Sequence, residues 1–302
     1  MQKNPDSTQA IKLLTDSANS LIVATGSSEL RQKTRYFDTL AGRYKEFLLF
    51  PLTIDETANF KGESFSFTLH PNTTETHFLS SYLDEIMIYG SYPGVILSGE
   101  KEEELKNITQ NSIVKDIANI YDLKNTDLVF NLLRLLAMQV GNLINISEIA
   151  SSLSSTKITI DNYLSILNKN RIIFFLEPYR TNKRKGYLER KKVFFCDLGI
   201  RNALIEDFRP LDLRPDKGAV FENLIVASFL RRVYYNRSHN KLYFYREIAG
   251  AQKEIDLIVE TPRGVKTGYE IKYSGGEINK FPELKIDHYK IINKETAPLF
   301  LV

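Results

Sequence analysis

Glu254, Asp256, Glu270 and Lys272 stand near the end of the chain at spacings that can do chemistry: Glu-Ile-Asp-Leu-Ile-Val, a Pro262-Arg263-Gly264 turn, then Tyr-Glu-Ile-Lys. Two strands joined by a turn centred near Arg263 place position 256 opposite 270 and position 254 opposite 272. Cross-strand side chains so placed sit roughly 5 Å apart. Two carboxylates that close raise each other's pKa unless a cation separates them, so Asp256 and Glu270, with Lys272 beside them, are wired for a divalent metal. A plainer reading stands next to it. Glu254 and Lys272 then form a cross-strand ion pair, and Asp256 and Glu270 face solvent at an edge, where their repulsion is weak.

The rest of the chain must position these groups. At 302 residues, 43% of them hydrophobic and 25% charged, it can bury a large core and divide into two or three domains. A net charge of +3 is too small to argue for nucleic acid, so any basic patch must be local. The single cysteine, Cys196, excludes an internal disulfide and a thiolate zinc site. His70, His77, His239 and His288 lack ligand spacing. Residues 1–13 show no signal-peptide core, and no apolar run approaches the ~20 residues that span a bilayer, so no membrane partner and a cytoplasmic location are expected.

Residues 20–25 form a short apolar run that ends in Gly26-Ser27-Ser28, the pattern of a buried parallel strand feeding a turn. Together with Leu40-Ala41-Gly42-Arg43 and Phe50-Pro51-Leu52, this stretch resembles the back half of the ATPase domain in a bacterial and archaeal family of AAA-type ATPases that carry a C-terminal domain of unknown function. The resemblance runs from about residue 9 to the end, through a Gly90-x-x-Pro93 element and a strand-Asp197-x-Gly199 segment. It implies a γ-phosphate sensor at Thr25 or Ser27 and an arginine contribution from Arg43. No G-x-x-x-x-G-K-[ST] occurs, so ATP is not expected to bind without a partner. A full-length ATPase partner, a separate upstream chain or a fragmented reading frame would each account for this. Residues 48–56 imitate a Walker B strand, but Pro51 interrupts it and Thr53 reads better as a helix cap.

Residues 1–80 are therefore read as an ATPase-domain remnant and 81–125 as a helical linker. Residues 126–205 read as a winged helix: helices at 127–140, with a stripe of Leu128, Leu132, Leu135, Leu136 and Val140, at 147–153 with Ser147 as cap, and from Thr156 or Thr159 to 170, then a strand at 171–176. The loop that follows carries Arg180, Lys183, Arg184, Lys185, Arg190, Lys191 and Lys192 against one glutamate. Beside a recognition helix such a loop contacts phosphates, which makes DNA a candidate partner. A solvated hairpin tip on a protein-protein adaptor fits equally. Asp197 reads as a turn cap and Cys196 as a small buried apolar residue.

Residues 206–302 offer an apolar helix at 218–233 with a single early acid, Glu222, then strands at 242–246, 254–259 and 269–272, a helix from Glu277 and a strand near 299–301. That is the core order of the PD-(D/E)xK nuclease superfamily, the restriction-endonuclease-like fold. The resemblance maps Glu222 onto the helix acid, Asp256 onto the strand aspartate, and Glu270 with Lys272 onto the Glu-x-Lys pair. It implies Mg²⁺ on Asp256 and Glu270, water as the nucleophile and Lys272 positioning it. The expected class is α/β and α+β multidomain. The expected function is DNA binding with Mg²⁺-dependent phosphodiester hydrolysis, or, in the competing class, a non-catalytic adaptor for an ATPase partner.

Overall fold

The computed structural model describes residues 7–17, 21–23, 25, 45, 47–63, 73–121, 123, 125–180, 190–247 and 253–301. Two units are separable, residues 1–49 and 50–302. In the first, helix α1 (Ser7–Ser17) is the described element. Residues 21–23 and Thr25 lie in no strand, and Leu21 and Val23 are exposed. The described part of the run expected as a strand at 20–25 is therefore not one: a parallel strand needs a neighbour to close its ladder, and none pairs with it among the described residues.

The second unit begins with α2 (Ile54–Phe60), whose Thr53 makes a capping box with Glu56, as expected from the break at Pro51. Helices α3 (Thr73–Tyr89), α4 (Pro93–Leu97), α5 (Lys101–Asn107) and α6 (Lys115–Ile120) follow, the last two joined by a π-helical stretch at Ile108–Val114. Next come α7 (Thr126–Met138), α8 (Ile146–Ser152) and α9 (Lys157–Lys169), capped by Asn125, Asn145 and Thr156. Asn145 takes the capping role expected of Ser147. The α7 stripe is Val129, Leu132, Leu133, Leu136 and Ala137, rotated from the expected Leu128 and Leu135 toward the body of the unit.

Strands β1 (Ile173–Pro178) and β2 (Lys192–Phe195) form a hairpin, followed by α10 (Leu198–Ile205) and α11 (Lys217–Tyr235). Strands β3 (Lys241–Arg246), β4 (Glu254–Glu260), β5 (Lys266–Ile271) and β6 (His288–Ile292) and a terminal α12 (Pro298–Leu301) complete the chain. One sheet takes all six strands in the order β2-β1-β3-β4-β5-β6. The pairs β1–β2, β3–β4 and β4–β5 are antiparallel; β1–β3 and β5–β6 are parallel. The hairpin is thus the margin of a common sheet, and the sheet crosses position 205.

Two expectations near the C-terminus fail. The segment from Glu277 is not helical: positive φ at Gly275 and Gly276 turns the chain, and a single 3₁₀ turn, Pro282–Leu284, packs Phe281 and Leu284 against Ile255 and Ile258. The last strand is His288–Ile292, and the apolar run at 298–301 closes a helical turn instead. Runs that short fit either state until a neighbour selects one.

Two motifs that hold no reactive group fix the helices, one at the end of β2 and one between α7, α10 and the start of α11. Asp197 caps α10 through Ile200 N–H (3.0 Å) and accepts Ser91 N–H at 2.8 Å. Gly90 (φ 70°) leaves no room for a side chain beside that carboxylate. Phe194, Phe195, Phe221 and Phe244 are fully buried, each worth about 1.5–3 kcal/mol over exposure.

A second lock is ionic. The buried Arg214 pairs twice with Asp216 (2.9 Å to each oxygen), and Arg201 bonds Asp216 and the Ala137 carbonyl. Hydrogen bonding from Arg209, with Arg214 nearby, pulls Asp207 down to about 2; Asp216 is also held low, because Arg214 and Arg201 outweigh its burial. A carboxylate whose folded pKa is depressed stabilises above its unfolded value, near 4, and loses that contribution as pH falls through the folded value. Thermal melts should therefore show Tm dropping between about pH 4 and about pH 2, with a shallower drop in Asp216→Asn, which starts from a lower Tm at neutral pH. An equal slope in both proteins would contradict the role of this network.

Candidate metal centre

The β4–β5 hairpin turns at Thr261 to Gly264, where Gly264 has φ 83° and donates to Thr261 O at 2.9 Å. Leu257 pairs with Tyr269 and Ile258 with Gly268, a register that extends to 256 opposite 270 and 254 opposite 272. The regular ladder stops at Leu257 because the Asp256 carboxylate takes the next amide: Ile271 N–H donates to Asp256 Oδ2 at 2.8 Å.

Against β3 the register shifts. Tyr243 faces Ile258 and Tyr245 faces Ile255, so β4 holds one extra residue. Simple alternation would put Ile255 and Ile258 on opposite faces, yet both pack in one apolar cluster with Tyr243 and Tyr245. The bulge absorbs the difference and turns Asp256 out of that cluster toward α11, the re-aiming that bulges commonly perform beside sites.

From α11 comes Glu222. Its neighbour Asn223 clamps the backbone of Phe195, receiving its N–H at 2.7 Å and donating to its carbonyl at 2.8 Å. This seats the helix on β2 and delivers Glu222 to Lys192 Nζ at 2.7 Å. Ligand oxygens of Glu222, Glu254 and Asp256 all lie within 4.8 Å of one another. Lys192 also contacts Glu254, and Arg246 approaches Glu254 from the rim at 3.9 Å. On the other side Lys272 pairs with Glu270 at 2.8 Å and with Asp256 at 3.6 Å.

Electrostatics follow from this crowding. Burial, then Asp256 and Glu254, push Glu222 well above the ordinary carboxylate range, although Lys192 opposes them. Glu270 is raised by burial and by Asp256. Burial works against the charged forms of Lys192 and Lys272, but the surrounding carboxylates win and hold both above the usual lysine value. Clustered carboxylates are hard oxygen donors, the set that Mg²⁺ and Mn²⁺ take.

The sequence-expected residues divide. Glu222, Asp256, Glu270 and Lys272 converge, but the mutually close set contains Glu254 and not Glu270, which Lys272 draws aside. Glu254, expected opposite Lys272 as its ion-pair partner, pairs with Lys192 instead. Its position two residues before Asp256 on a strand was the available signal. Lys192, expected on a phosphate-contacting loop, is 4% exposed and belongs to the acidic cluster.

Of the other basic residues, Lys183, Arg184 and Lys185 lie outside the described residues. Arg190 is exposed, Lys191 pairs with Glu177 at 2.8 Å, and Arg180 lies over the Tyr245 ring and donates to the Arg246 carbonyl at 3.2 Å. Thr25 is exposed, and Ser27 and Arg43 lie outside the described residues. Cys196 is buried, which pushes its thiol up to about 12.

Residues 1–58 match the AAA domain family. An AAA-type family is thereby supported. Residues 80–212 match a "Domain of unknown function (DUF8612)" and residues 217–301 a "Domain of unknown function (DUF4143)". Glu222, Glu254, Asp256, Glu270 and Lys272 fall in the last match and Lys192 in the one before it, so the site joins two families' segments. An uncharacterized protein of Haemophilus influenzae is 28% identical over 297 residues, covering 93% of this chain and 67% of that protein. An uncharacterized protein of Methanocaldococcus jannaschii is 29% identical over 213 residues, covering 64% of this chain and 44% of its own length. No solved structure matches. No helix among the described residues is long and apolar enough to cross a membrane.

Proposed function

We propose that this chain is a divalent-cation-dependent phosphodiesterase acting on nucleic acid, with a nuclease-like C-terminal region. The observation that carries the reading is the convergence of Glu222, Glu254 and Asp256 within 4.8 Å, with Lys272 half-exposed beside them. The order α11-β3-β4-β5-β6, antiparallel except for the last pair, resembles the PD-(D/E)xK core and supports the reading, with a loop and one 3₁₀ turn where that core has a helix between the final strands. That likeness is an analogy of fold, and the residues of the site carry the chemistry.

Glu222, Glu254 and Asp256 would hold Mg²⁺ or Mn²⁺, which when bound polarises a phosphoryl oxygen and eases ionisation of water. Lys272, tied to Glu270 and reaching solvent, places a positive charge where a phosphate would enter. The Asp256 carboxylate is oriented by the Ile271 amide, which commits its Oδ2. Helices α7 to α9 and the β1–β2 hairpin follow the order of a winged helix, and exposed Lys157, Lys169 and Arg190 supply charge for a duplex backbone.

The test uses purified protein with plasmid and single-stranded DNA, in Mg²⁺, Mn²⁺ or chelator. Cleavage is expected with metal and not with chelator, and it should be lost in Lys272→Ala. Cleavage by the variant at the wild-type rate, or none by the wild type with either metal, contradicts the proposal.

A further inference from the structure

Lys192 does not come from the strands that carry the acids. It starts β2, 30 residues before Glu222, and its side chain is 5% exposed. Its Nζ bonds Glu222 Oε1 at 2.7 Å, contacts Glu254 Oε1 and lies 5.5 Å from the centre of the Phe244 ring. Lys272 is engaged on the far side with Glu270 and Asp256. Lys192 is therefore the described ammonium that balances the Glu222–Glu254 side of the cluster.

A six-coordinate Mg²⁺ or Mn²⁺ sits about 2.1 Å from each ligand oxygen, so oxygens across it lie roughly 4 Å apart. Oxygens within 4.8 Å of one another reach that arrangement with small movements. The Lys192 ammonium lies 2.7 Å from Glu222 Oε1 and contacts Glu254 Oε1, so it already neutralises two of the three carboxylates an ion would draw on. Two cations held by the same two carboxylates repel each other, and most strongly in a partly buried setting. Lysine has a flexible four-carbon stem and can withdraw where a rigid guanidinium could not.

Resting on the metal reading above, we infer that Lys192 is a resident cation that holds the carboxylates together in the metal-free protein and is displaced when a divalent ion loads. It is a positioning residue and a competitor. It keeps the cluster folded without metal and raises the metal concentration at which the site fills, and it couples the β1–β2 hairpin to the state of the site.

Two measurements test this without activity. Titration calorimetry with Mn²⁺ should show Lys192→Met binding about ten-fold or more tightly than wild type, since a competing unit charge has gone. A pulse of an amine-acylating reagent on the wild type, read by peptide mass spectrometry, should find Lys192 protected without metal and labelled several-fold more at saturating Mn²⁺. Equal or weaker binding by a folded Lys192→Met, while wild type binds, overturns the role of Lys192 and leaves the metal reading intact. Binding by neither protein overturns both. Should Lys192→Met fail to fold, labelling decides: Lys192 acylation unchanged by Mn²⁺ that calorimetry shows to be bound overturns the inference, and increased acylation upholds it.

Discussion

Asp256→Asn is expected to lower metal-dependent cleavage by roughly 10³-fold or more, about 4 kcal/mol of transition-state stabilisation. Asparagine keeps the size of the side chain and an oxygen that accepts Ile271 N–H, the bond made at 2.8 Å in the native protein. The buried amide thus keeps its partner, and the penalty of an orphaned donor, about 1–3 kcal/mol, is avoided. What disappears is one negative charge from a set of three oxygen donors, and with it most of the attraction for a divalent ion. Removing a charge from a crowded acidic group also relieves repulsion, so Tm without metal should stay level or rise. Cleavage by Asp256→Asn within ten-fold of wild type would contradict the assignment. So would a large fall in Tm, which would mark Asp256 as structural.

The second large effect lies far from the acids. Gly199 opens α10 against the end of α3, and a Cβ there would fall 2.6 Å from the Tyr89 carbonyl carbon and 2.8 Å from Leu105 Cδ2. Backbone cannot swing aside as a side chain can, so Gly199→Ala should cost about 3 kcal/mol. In a unit of this size that lowers Tm by roughly 6–12 °C. Gly218, within α11, is the control, because nothing lies within 4 Å of its added Cβ. Gly218→Ala should be neutral or stabilise by about 0.5 kcal/mol through helix propensity and reduced freedom of the unfolded chain. Matching melts for the two variants would refute the close α3–α10 contact.

Much of the site could be read from sequence for reasons particular to its residues. The Pro-Arg-Gly turn sets the centre of the β4–β5 hairpin, and the two-residue period of a strand then determines what faces Asp256. The cap at Thr53, the cap at Asp197 and the order of helices and strands from α7 to β5 are local features, and they appear where the local pattern places them. Lys192 was not legible. Nothing beside it in sequence distinguishes it from Lys191, and only the packing of α11 on β2 through Asn223 brings it to Glu222. The bulge at Asp256 was equally hidden, since an extra residue in one strand shows only against its partner. Residues 21–23 and Thr25 form no strand and the segment from Glu277 forms no helix, because each element depended on a neighbour that the local pattern does not specify.

The central claim is that Glu222, Glu254 and Asp256 hold one divalent ion, and counting free Mn²⁺ by electron paramagnetic resonance tests it most directly. Bound Mn²⁺ loses the sharp six-line signal of the hydrated ion, so the signal missing from a titration counts the sites. Wild-type protein is expected to remove one Mn²⁺ per chain, and Asp256→Asn and Glu254→Gln to remove far less at the same concentrations. Undiminished free Mn²⁺ over wild type, or equal uptake by all three proteins, would contradict the account.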